Sequence, residues 1–290
     1  MPKLFIRLLL ILLACSTWVL QAKPISISIN DLKANGELIE SEDKEQPFFV
    51  ILHGTFGWHG MEITKTLQQM LGDEGYGSIA FSLTLGESNR SGFFDCSHLI
   101  VSHHQDAQTE IDHWVKKANQ LGYQNIALIG HSRGGAQVAS YLVNHSKNIH
   151  SAYLLAPMTW VKSDVNKQYD STSKAPLNQL ITKAKANPKT HLNNLPVLHC
   201  KNAVATPSAF ISYYDESPQK NTPTLLKKIT LPTTVFLGEQ DSLTPDFLKQ
   251  KSLLQNNKQV TIKMIEDADH FFRDFAAEDV VSHIIDQVSE

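Results

Sequence analysis

Short apolar runs alternate with amphipathic stretches along most of the chain. Continuous apolar runs are typical of strands buried on both faces of a parallel sheet, whereas apolar positions three and four residues apart indicate helices with one buried side. The predicted strands lie at 47–52, 78–83, 125–129, 152–155, 233–237 and 260–265. The predicted helices lie at 60–73, 105–121, 134–143, 245–254 and 276–288. This order predicts an α/β fold with a mostly parallel sheet and helices on both of its faces.

Two stretches depart from this alternation. Residues 25–41 alternate between isoleucine and polar residues, which predicts two edge strands or a hairpin that turns at Asn35-Gly36. Residues 158–230 have no clear strand pattern and predict a cap over the carboxyl edge of the sheet. One domain of residues 23–290 with this cap accounts for the length of the chain.

A positively charged start followed by an apolar run opens the chain. Lys3 and Arg7 precede the apolar residues 8–20, and Ala22 offers a small side chain for cleavage. This order is typical of a secretory signal peptide, here residues 1–22, and predicts a periplasmic or secreted protein.

Two alternatives to a cleaved signal peptide stay open. The apolar run is short for a membrane span, but it can still serve as a retained anchor. Leu12-Leu13-Ala14-Cys15 resembles a lipobox, which predicts a lipid anchor at Cys15. With cleavage, the mature chain begins near Lys23.

The charge balance limits the partners that we expect. A net charge of -3 argues against a nucleic-acid-binding protein, and no stable protein partner is predicted. Residues 157–230 contain ten lysines and only four acidic residues. The cap therefore has a net positive charge and the rest of the chain has a net negative charge. The basic cap is either a solvated face or a surface that attracts anionic substrates or weakly contacts a phospholipid membrane.

The sequence Gly130-His131-Ser132-Arg133-Gly134 matches G-x-S-x-G and lies between a predicted strand and a predicted helix. In a nucleophile elbow the serine occupies a strained turn, and the flanking glycines avoid clashes that a Cβ would cause. The motif therefore predicts Ser132 as a nucleophile. The alternative is a strand-to-helix turn that carries a serine by chance.

A nucleophilic serine needs a base and a third group that orients the base. Asp241 follows the strand 233–237, and His270 follows the strand 260–265. Both therefore belong to the carboxyl edge of the sheet, where open α/β sheets build their sites. Glu239 is a second candidate for the acid.

An acyl-transfer site also needs amide donors for the oxyanion. One predicted donor is the backbone N–H of Arg133, directly after Ser132. The other is the backbone N–H of Thr55, in the loop after the strand 47–52.

Together these elements resemble the α/β-hydrolase superfamily over roughly residues 25–288. The resemblance implies an eight-stranded, mostly parallel sheet and a triad of Ser132, Asp241 and His270. It also implies that the cap is inserted after Ala156-Pro157. No cofactor is expected.

The long loop 86–104 contains a cysteine and three histidines. His98, His103 and His104 lack a clear metal-ligand spacing, so we expect them to face solvent, and no metal site is predicted. Cys96 in this loop and Cys200 in the cap either form a disulfide or are two unpaired thiols.

The predicted activity is hydrolysis of a carboxylic ester or a related acyl bond, with a small-molecule acyl substrate and an acyl-enzyme on Ser132. A peptidase or amidase with the same triad is one alternative, and a non-catalytic envelope binding protein is another. The cap aromatic residues either line an acyl pocket or pack the cap; they are Trp160, Phe210, Tyr213 and Tyr214.

Overall fold

The computed structural model describes residues 21–289. Most of the predicted signal peptide, including Cys15, lies outside these residues. Within them, no helix is both long enough and apolar enough to cross a membrane.

Eleven strands occur in the described residues. They are β1 (Lys23–Ile29), β2 (Leu32–Ile39), β3 (Phe48–Leu52), β4 (Ser78–Phe81), β5 (Leu99–Ile100), β6 (Ile126–His131), β7 (Ile149–Leu155), β8 (Leu192–Val197), β9 (Cys200–Ala205), β10 (Thr233–Gly238) and β11 (Val260–Ile265). Eight of them form one sheet in the order β1-β2-β4-β3-β6-β7-β10-β11, and β5, β9 and β8 form a small second sheet.

Nine α-helices accompany the strands in the same part of the chain. They are α1 (Glu62–Asp73), α2 (Asp106–Gln120), α3 (Arg133–Leu142), α4 (Lys162–Asp170), α5 (Leu177–Ala186), α6 (Pro207–Tyr214), α7 (Thr222–Leu226), α8 (Asp246–Lys249) and α9 (Phe275–Ser289). Short 3-10 helices lie at Pro218–Lys220 and Lys251–Leu254, so the single helix predicted over 245–254 is divided.

The large sheet is parallel from β4 to β11 and antiparallel only where β2 pairs with β1 and β4. All residues of β3 are buried. Val50 and Leu52 pack in one hydrophobic cluster with side chains of α2 and α3, whereas Phe49 and Ile51 pack in another with α1 and α9. Because successive strand residues point to opposite faces, helices cover both faces of the sheet. The predicted eight-stranded, mostly parallel α/β fold is confirmed.

The turn predicted at Asn35-Gly36 is wrong. The hairpin turns at Asn30 and Asp31, whose φ angles of 46° and 67° suit a tight turn between antiparallel strands. Gly36 lies inside β2, where a Cβ would stand 2.6 Å from the Ala80 carbonyl oxygen of β4. This glycine therefore permits the close approach of two strands and does not form the turn.

The segment between β7 and β10 contains four helices, α4 to α7, and also β8 and β9. The expectation of no strand here is wrong. Asn193 and Asn194 are exposed and the β8–β9 register shifts beside them, so the strand lacks the apolar alternation that sequence analysis relies on. Since β9 also pairs with β5, this inserted segment is joined to the loop that follows β4.

A disulfide between Cys96 and Cys200 strengthens this connection. Their Cα atoms are 5.4 Å apart and the bond links residues 104 positions apart in sequence. Of the two alternatives for these cysteines, the disulfide is the one present. A loop of this length corresponds to about 4–5 kcal/mol of stabilisation in the chain-entropy model.

Candidate active site

Ser132 occupies the sharp turn between β6 and α3. Its backbone has φ 55° and ψ -119°, which is a strained conformation for a residue with a side chain. Its N–H donates to the Leu155 carbonyl at 2.8 Å, and its own carbonyl accepts from the Met158 N–H at 2.9 Å. Both partners come from the end of β7 and the chain just beyond it, so the neighbouring strand holds the strained turn in place.

The glycines of the motif allow this turn to pack tightly. A Cβ on Gly130 would lie 2.7 Å from the Gly134 carbonyl oxygen, and a Cβ on Gly134 would lie 2.3 Å from the His53 carbonyl oxygen. Larger side chains at either position would push α3 away from β3 and from the turn itself. The spacing of the motif thus has a direct steric cause.

His270 connects Ser132 to Asp241. Its Nε2 lies 2.9 Å from Ser132 Oγ, and its Nδ1 lies 2.9 Å from Asp241 Oδ2. With the proton on Nδ1, the ring donates to Asp241 and accepts the hydroxyl hydrogen of Ser132. The side chains of His270 and Asp241 are only 7% and 6% exposed, so water competes little with these hydrogen bonds. The structure therefore brings together the three residues that the sequence predicted.

Asp241 is held as a carboxylate by its own loop. Its Oδ1 accepts from the backbone N–H groups of Leu243 at 2.7 Å and Thr244 at 3.1 Å, and its Oδ2 accepts from the Thr244 hydroxyl at 2.5 Å. Burial opposes ionisation, but hydrogen bonds from His270, Thr244 and Leu243 outweigh it and lower the pKa of Asp241 to about 2. Glu239, the other candidate acid, is exposed, and His270 Nδ1 bonds to Asp241 instead.

The acids next to His270 in sequence have other partners. Asp267 accepts from the Gln240 side chain at 3.0 Å, and Asp269 accepts from Arg273 at 2.5 Å. Neither therefore orients the imidazole of His270.

Thr55 and Arg133, the predicted oxyanion donors, lie side by side. Arg133 Nε donates to Thr55 Oγ1 at 3.1 Å, which joins the loop after β3 to the start of α3. The N–H of Arg133 is in the first turn of α3, where backbone amides have no partner within the helix. In the loop itself, Gly57 N–H donates to the Gly54 carbonyl at 3.2 Å and closes the turn around Thr55.

Two buried histidines that sequence analysis did not select support the site. His53 Nδ1 bonds to the Gly54 carbonyl at 2.7 Å, and its Nε2 accepts from the Leu83 N–H at 3.0 Å. His131 Nε2 bonds to the His270 carbonyl at 2.8 Å. Burial lowers the pKa of His53 to about 3 and that of His131 to about 4, so both rings are neutral. The sequence signal was their position at the ends of β3 and β6.

The expectation that the three loop histidines face solvent is wrong for His104. His98 is exposed and bonds to Glu87, and His103 bonds to Asp106. His104 is only 1% exposed, because the segment after β7 covers it. In this contact the backbone N–H of His104 donates to Ser212 Oγ of α6. The covering segment is more than one hundred residues away in sequence, so the sequence of the loop itself does not indicate that His104 is buried.

A mostly parallel eight-stranded sheet with this Ser–His–Asp arrangement at its carboxyl edge defines an α/β-hydrolase. The sequence profile of the serine aminopeptidase S33 family matches residues 43–272. The chain belongs to this family and is a hydrolase.

Several solved structures share the fold. The esterase Est1E from Butyrivibrio proteoclasticus is 16% identical with a TM-score of 0.65, over 92% of this chain and 99% of that chain. The Pyrococcus furiosus esterase Pf2001 is 16% identical with a TM-score of 0.61, over 93% and 91% of the two chains. The esterase EaEST from Exiguobacterium antarcticum is 19% identical with a TM-score of 0.59, over 89% and 96%. At these identities the similarity is one of fold. No curated protein matches the sequence.

Replacement of the two candidate acids distinguishes their roles. We expect Asp241→Asn to lower kcat for ester hydrolysis by about 10⁴-fold, because the amide stabilises the wrong tautomer of His270. The matched control Glu239→Gln removes an exposed carboxylate and is expected to leave kcat within about twofold. Steady-state kinetics with p-nitrophenyl hexanoate measure kcat of both variants. A large loss of kcat in Glu239→Gln with little loss in Asp241→Asn would show that Glu239, and not Asp241, is the acid of the triad.

Proposed function

We propose that this protein is a serine esterase that cleaves a carboxylic ester, or a related acyl bond, through an acyl-enzyme on Ser132. The observation that carries the proposal is the continuous chain of hydrogen bonds from Ser132 Oγ through His270 to Asp241. An envelope protein that only binds a ligand has no need of this arrangement, which favours catalysis over the binding alternative.

The reaction follows from the geometry. Ser132 Oγ attacks the ester carbonyl carbon while His270 Nε2 accepts the hydroxyl proton, and the Asp241 carboxylate stabilises the imidazolium through Nδ1. The negative oxygen of the tetrahedral intermediate is stabilised by the amides of Thr55 and Arg133. The intermediate collapses as the C–O bond breaks, and the alcohol leaves with the proton from His270. Water, deprotonated by His270, then attacks the acyl-enzyme, and the acid is released as Ser132 regains its proton.

An aminopeptidase of the same mechanism is the second candidate, and the family match favours it. An aminopeptidase must accept a positively charged α-amino group close to the scissile bond. Here Arg133, a buried arginine, directly follows Ser132, and its side chain is hydrogen-bonded to Thr55 of the predicted oxyanion loop. Like charges repel strongly in a poorly hydrated site, so this residue disfavours an ammonium group and supports the esterase assignment.

Removal of the nucleophile tests the proposal. Ser132→Ala is expected to lower kcat for p-nitrophenyl hexanoate by a factor on the order of 10⁴–10⁶ while the thermal unfolding midpoint is retained. Ser163→Ala, an exposed serine of α4, serves as the matched control with unchanged kcat. Full esterase activity in purified Ser132→Ala would contradict the assignment of Ser132. The aminopeptidase alternative is measured separately, as hydrolysis of a panel of aminoacyl p-nitroanilides.

The pH dependence tests the role of His270. Only a neutral imidazole accepts the Ser132 proton, so kcat/KM is expected to fall as the pH is lowered and His270 becomes protonated. Asp241, with its pKa lowered to about 2, stays ionised over the pH range measured, so it causes no additional fall in kcat/KM. Initial rates with a neutral ester measure this profile. A rate that is flat between about pH 5 and 9, with chemistry limiting, would exclude a histidine base.

We infer that the protein is exported and that its signal peptide is cleaved near Lys23. The charged and apolar order of residues 1–22 supports export, and a disulfide between Cys96 and Cys200 suits an oxidising compartment. Anchoring through Cys15 or a retained apolar segment is the alternative.

Intact-mass analysis of the protein from a secreting host tests this inference. The expected mass corresponds to a chain that begins near Lys23, and alkylation without reduction is expected to modify neither cysteine. A mass that retains residues 1–22, or a lipid adduct on Cys15, would show that the segment is an anchor.

A further inference from the structure

The two buried arginines of the described chain differ in how their guanidinium groups are satisfied. Arg90 is 6% exposed and donates to four backbone carbonyls. Those carbonyls belong to Phe56, Gly57, Leu83 and Gly92. Arg133 is 8% exposed, but within residues 21–289 its side chain makes a single hydrogen bond, from Nε to Thr55 Oγ1. Its Nη1 is buried and has no acceptor within residues 21–289.

The charge of Arg133 also lacks a carboxylate partner among residues 21–289. Burial lowers the pKa of its guanidinium, and the other ionisable groups that act on it are the phenols of Tyr213 and Tyr214. Burial raises the pKa of both phenols, so they are neutral and do not pair with its charge. The Tyr213 ring lies 5.4 Å from the guanidinium carbon, a cation–π contact that covers one face of the group. A buried cation is normally paired with a carboxylate or fully hydrogen-bonded, and Arg133 is neither within the described residues.

Other basic groups surround Arg133. Burial and the charge of Arg133 together lower the pKa of His104 well below its usual value and that of Lys220 to about 7. Both ring nitrogens of His104 are buried without a hydrogen bond of normal geometry in the described part of the chain. Lys220 Nζ is held by the carbonyl oxygens of Ser212 and Asp215. This basic cluster of Arg133, His104 and Lys220 therefore has unused donors, and within residues 21–289 no carboxylate pairs with the Arg133 guanidinium. The acid that acts on Lys220 is Asp215, whose carboxylate is paired with Lys185.

The basic cluster adjoins the reacting atoms. Arg133 directly follows Ser132, and its Nε is bonded to Thr55 in the loop that supplies the proposed oxyanion amide. Ser132 and Thr55 are both partly exposed, so this end of the cluster borders the solvent-accessible part of the site. An anion bound to the guanidinium would lie beside the Thr55 loop, in which a Cβ built on Gly54 would stand 3.4 Å from Ser132 Cβ.

We propose that the substrate of Ser132 carries a carboxylate, in its acyl part or in its alcohol part, and that Arg133 binds this group. The inference rests on the proposed esterase function and adds the substrate class. A carboxylate accepts charge-assisted hydrogen bonds from a guanidinium in a fixed geometry, and it supplies the acceptor and the negative charge that Arg133 lacks. Arg133 thus has two roles: its backbone amide serves the oxyanion, and its side chain selects the substrate.

Chain-matched esters test the proposal and locate the charge. Mono-p-nitrophenyl adipate is compared with p-nitrophenyl hexanoate for a charge on the acyl side. Likewise, 4-carboxyphenyl hexanoate is compared with phenyl hexanoate for a charge on the alcohol side. Spontaneous hydrolysis is subtracted, and kcat/KM is measured at low salt. For one of the two anionic esters we expect kcat/KM to be at least about tenfold higher than for its neutral partner, mainly through a lower KM.

Substitution of Arg133 links this preference to the side chain. In Arg133→Gln the ratio of kcat/KM between the anionic and neutral esters is expected to fall about 10- to 100-fold, and Arg133→Lys is expected to restore part of it. The ratio cancels effects on the oxyanion amide that both esters share. Arg273→Gln is the matched control, since that arginine is exposed and paired with Asp269, and its ratio is expected to equal that of the wild type.

The outcomes separate the two proposals. Ser132-dependent hydrolysis of the neutral esters with no anion preference, or with a preference unchanged in Arg133→Gln, would overturn the carboxylate inference and leave the esterase function standing. No Ser132-dependent hydrolysis of any of the four esters would overturn both.

Discussion

The active-site arrangement depends on one strained residue. At φ 55° the backbone of Ser132 is in a region that residues with side chains rarely adopt, and it stays there because β7 supplies a carbonyl acceptor and the chain beyond β7 supplies an amide donor. The strain turns the chain from strand to helix within one residue, so the hydroxyl projects from the carboxyl edge. The same edge carries the loops that bring His270 after β11 and Asp241 after β10. If the turn relaxed, the 2.9 Å contact between Ser132 and His270 would be lost even with every side chain present.

Burial controls the protonation of the two histidines that support the site. His53 and His131 are kept neutral, and each uses its ring to fix a backbone group, the loop of Thr55 in one case and the carbonyl of His270 in the other. Asp241 is kept ionised by three hydrogen bonds from its own loop. These opposite effects place a fixed negative charge at Nδ1 of His270 and keep the two neighbouring imidazole rings uncharged. The arrangement suits a base that must gain and lose a proton in each cycle.

The sequence predicted the parts of the fold that depend on local periodicity and steric rules. The buried strands of the large sheet are continuous apolar runs, and the glycine spacing around Ser132 reflects clashes that only glycine avoids. Prediction failed where distant packing decides the structure. Asn35-Gly36 has the composition of a turn, but the approach of β4 requires a glycine within a strand. His104 lies in a polar loop and is buried only because α6 covers it, and β8 pairs with β9 without an apolar alternation. Likewise, only the three-dimensional neighbours of Arg133 show that no carboxylate in the described part of the chain pairs with its charge.

The central claim is that Ser132 is the activated nucleophile, and covalent labelling tests it most directly. The purified protein is treated with a fluorophosphonate, digested and analysed by mass spectrometry. The account predicts a single phosphonylated peptide that contains Ser132, and it predicts that His270→Ala slows the labelling strongly because the base is lost. An adduct on a different residue, or an unmodified protein under conditions that fully label a reference serine hydrolase, would contradict it.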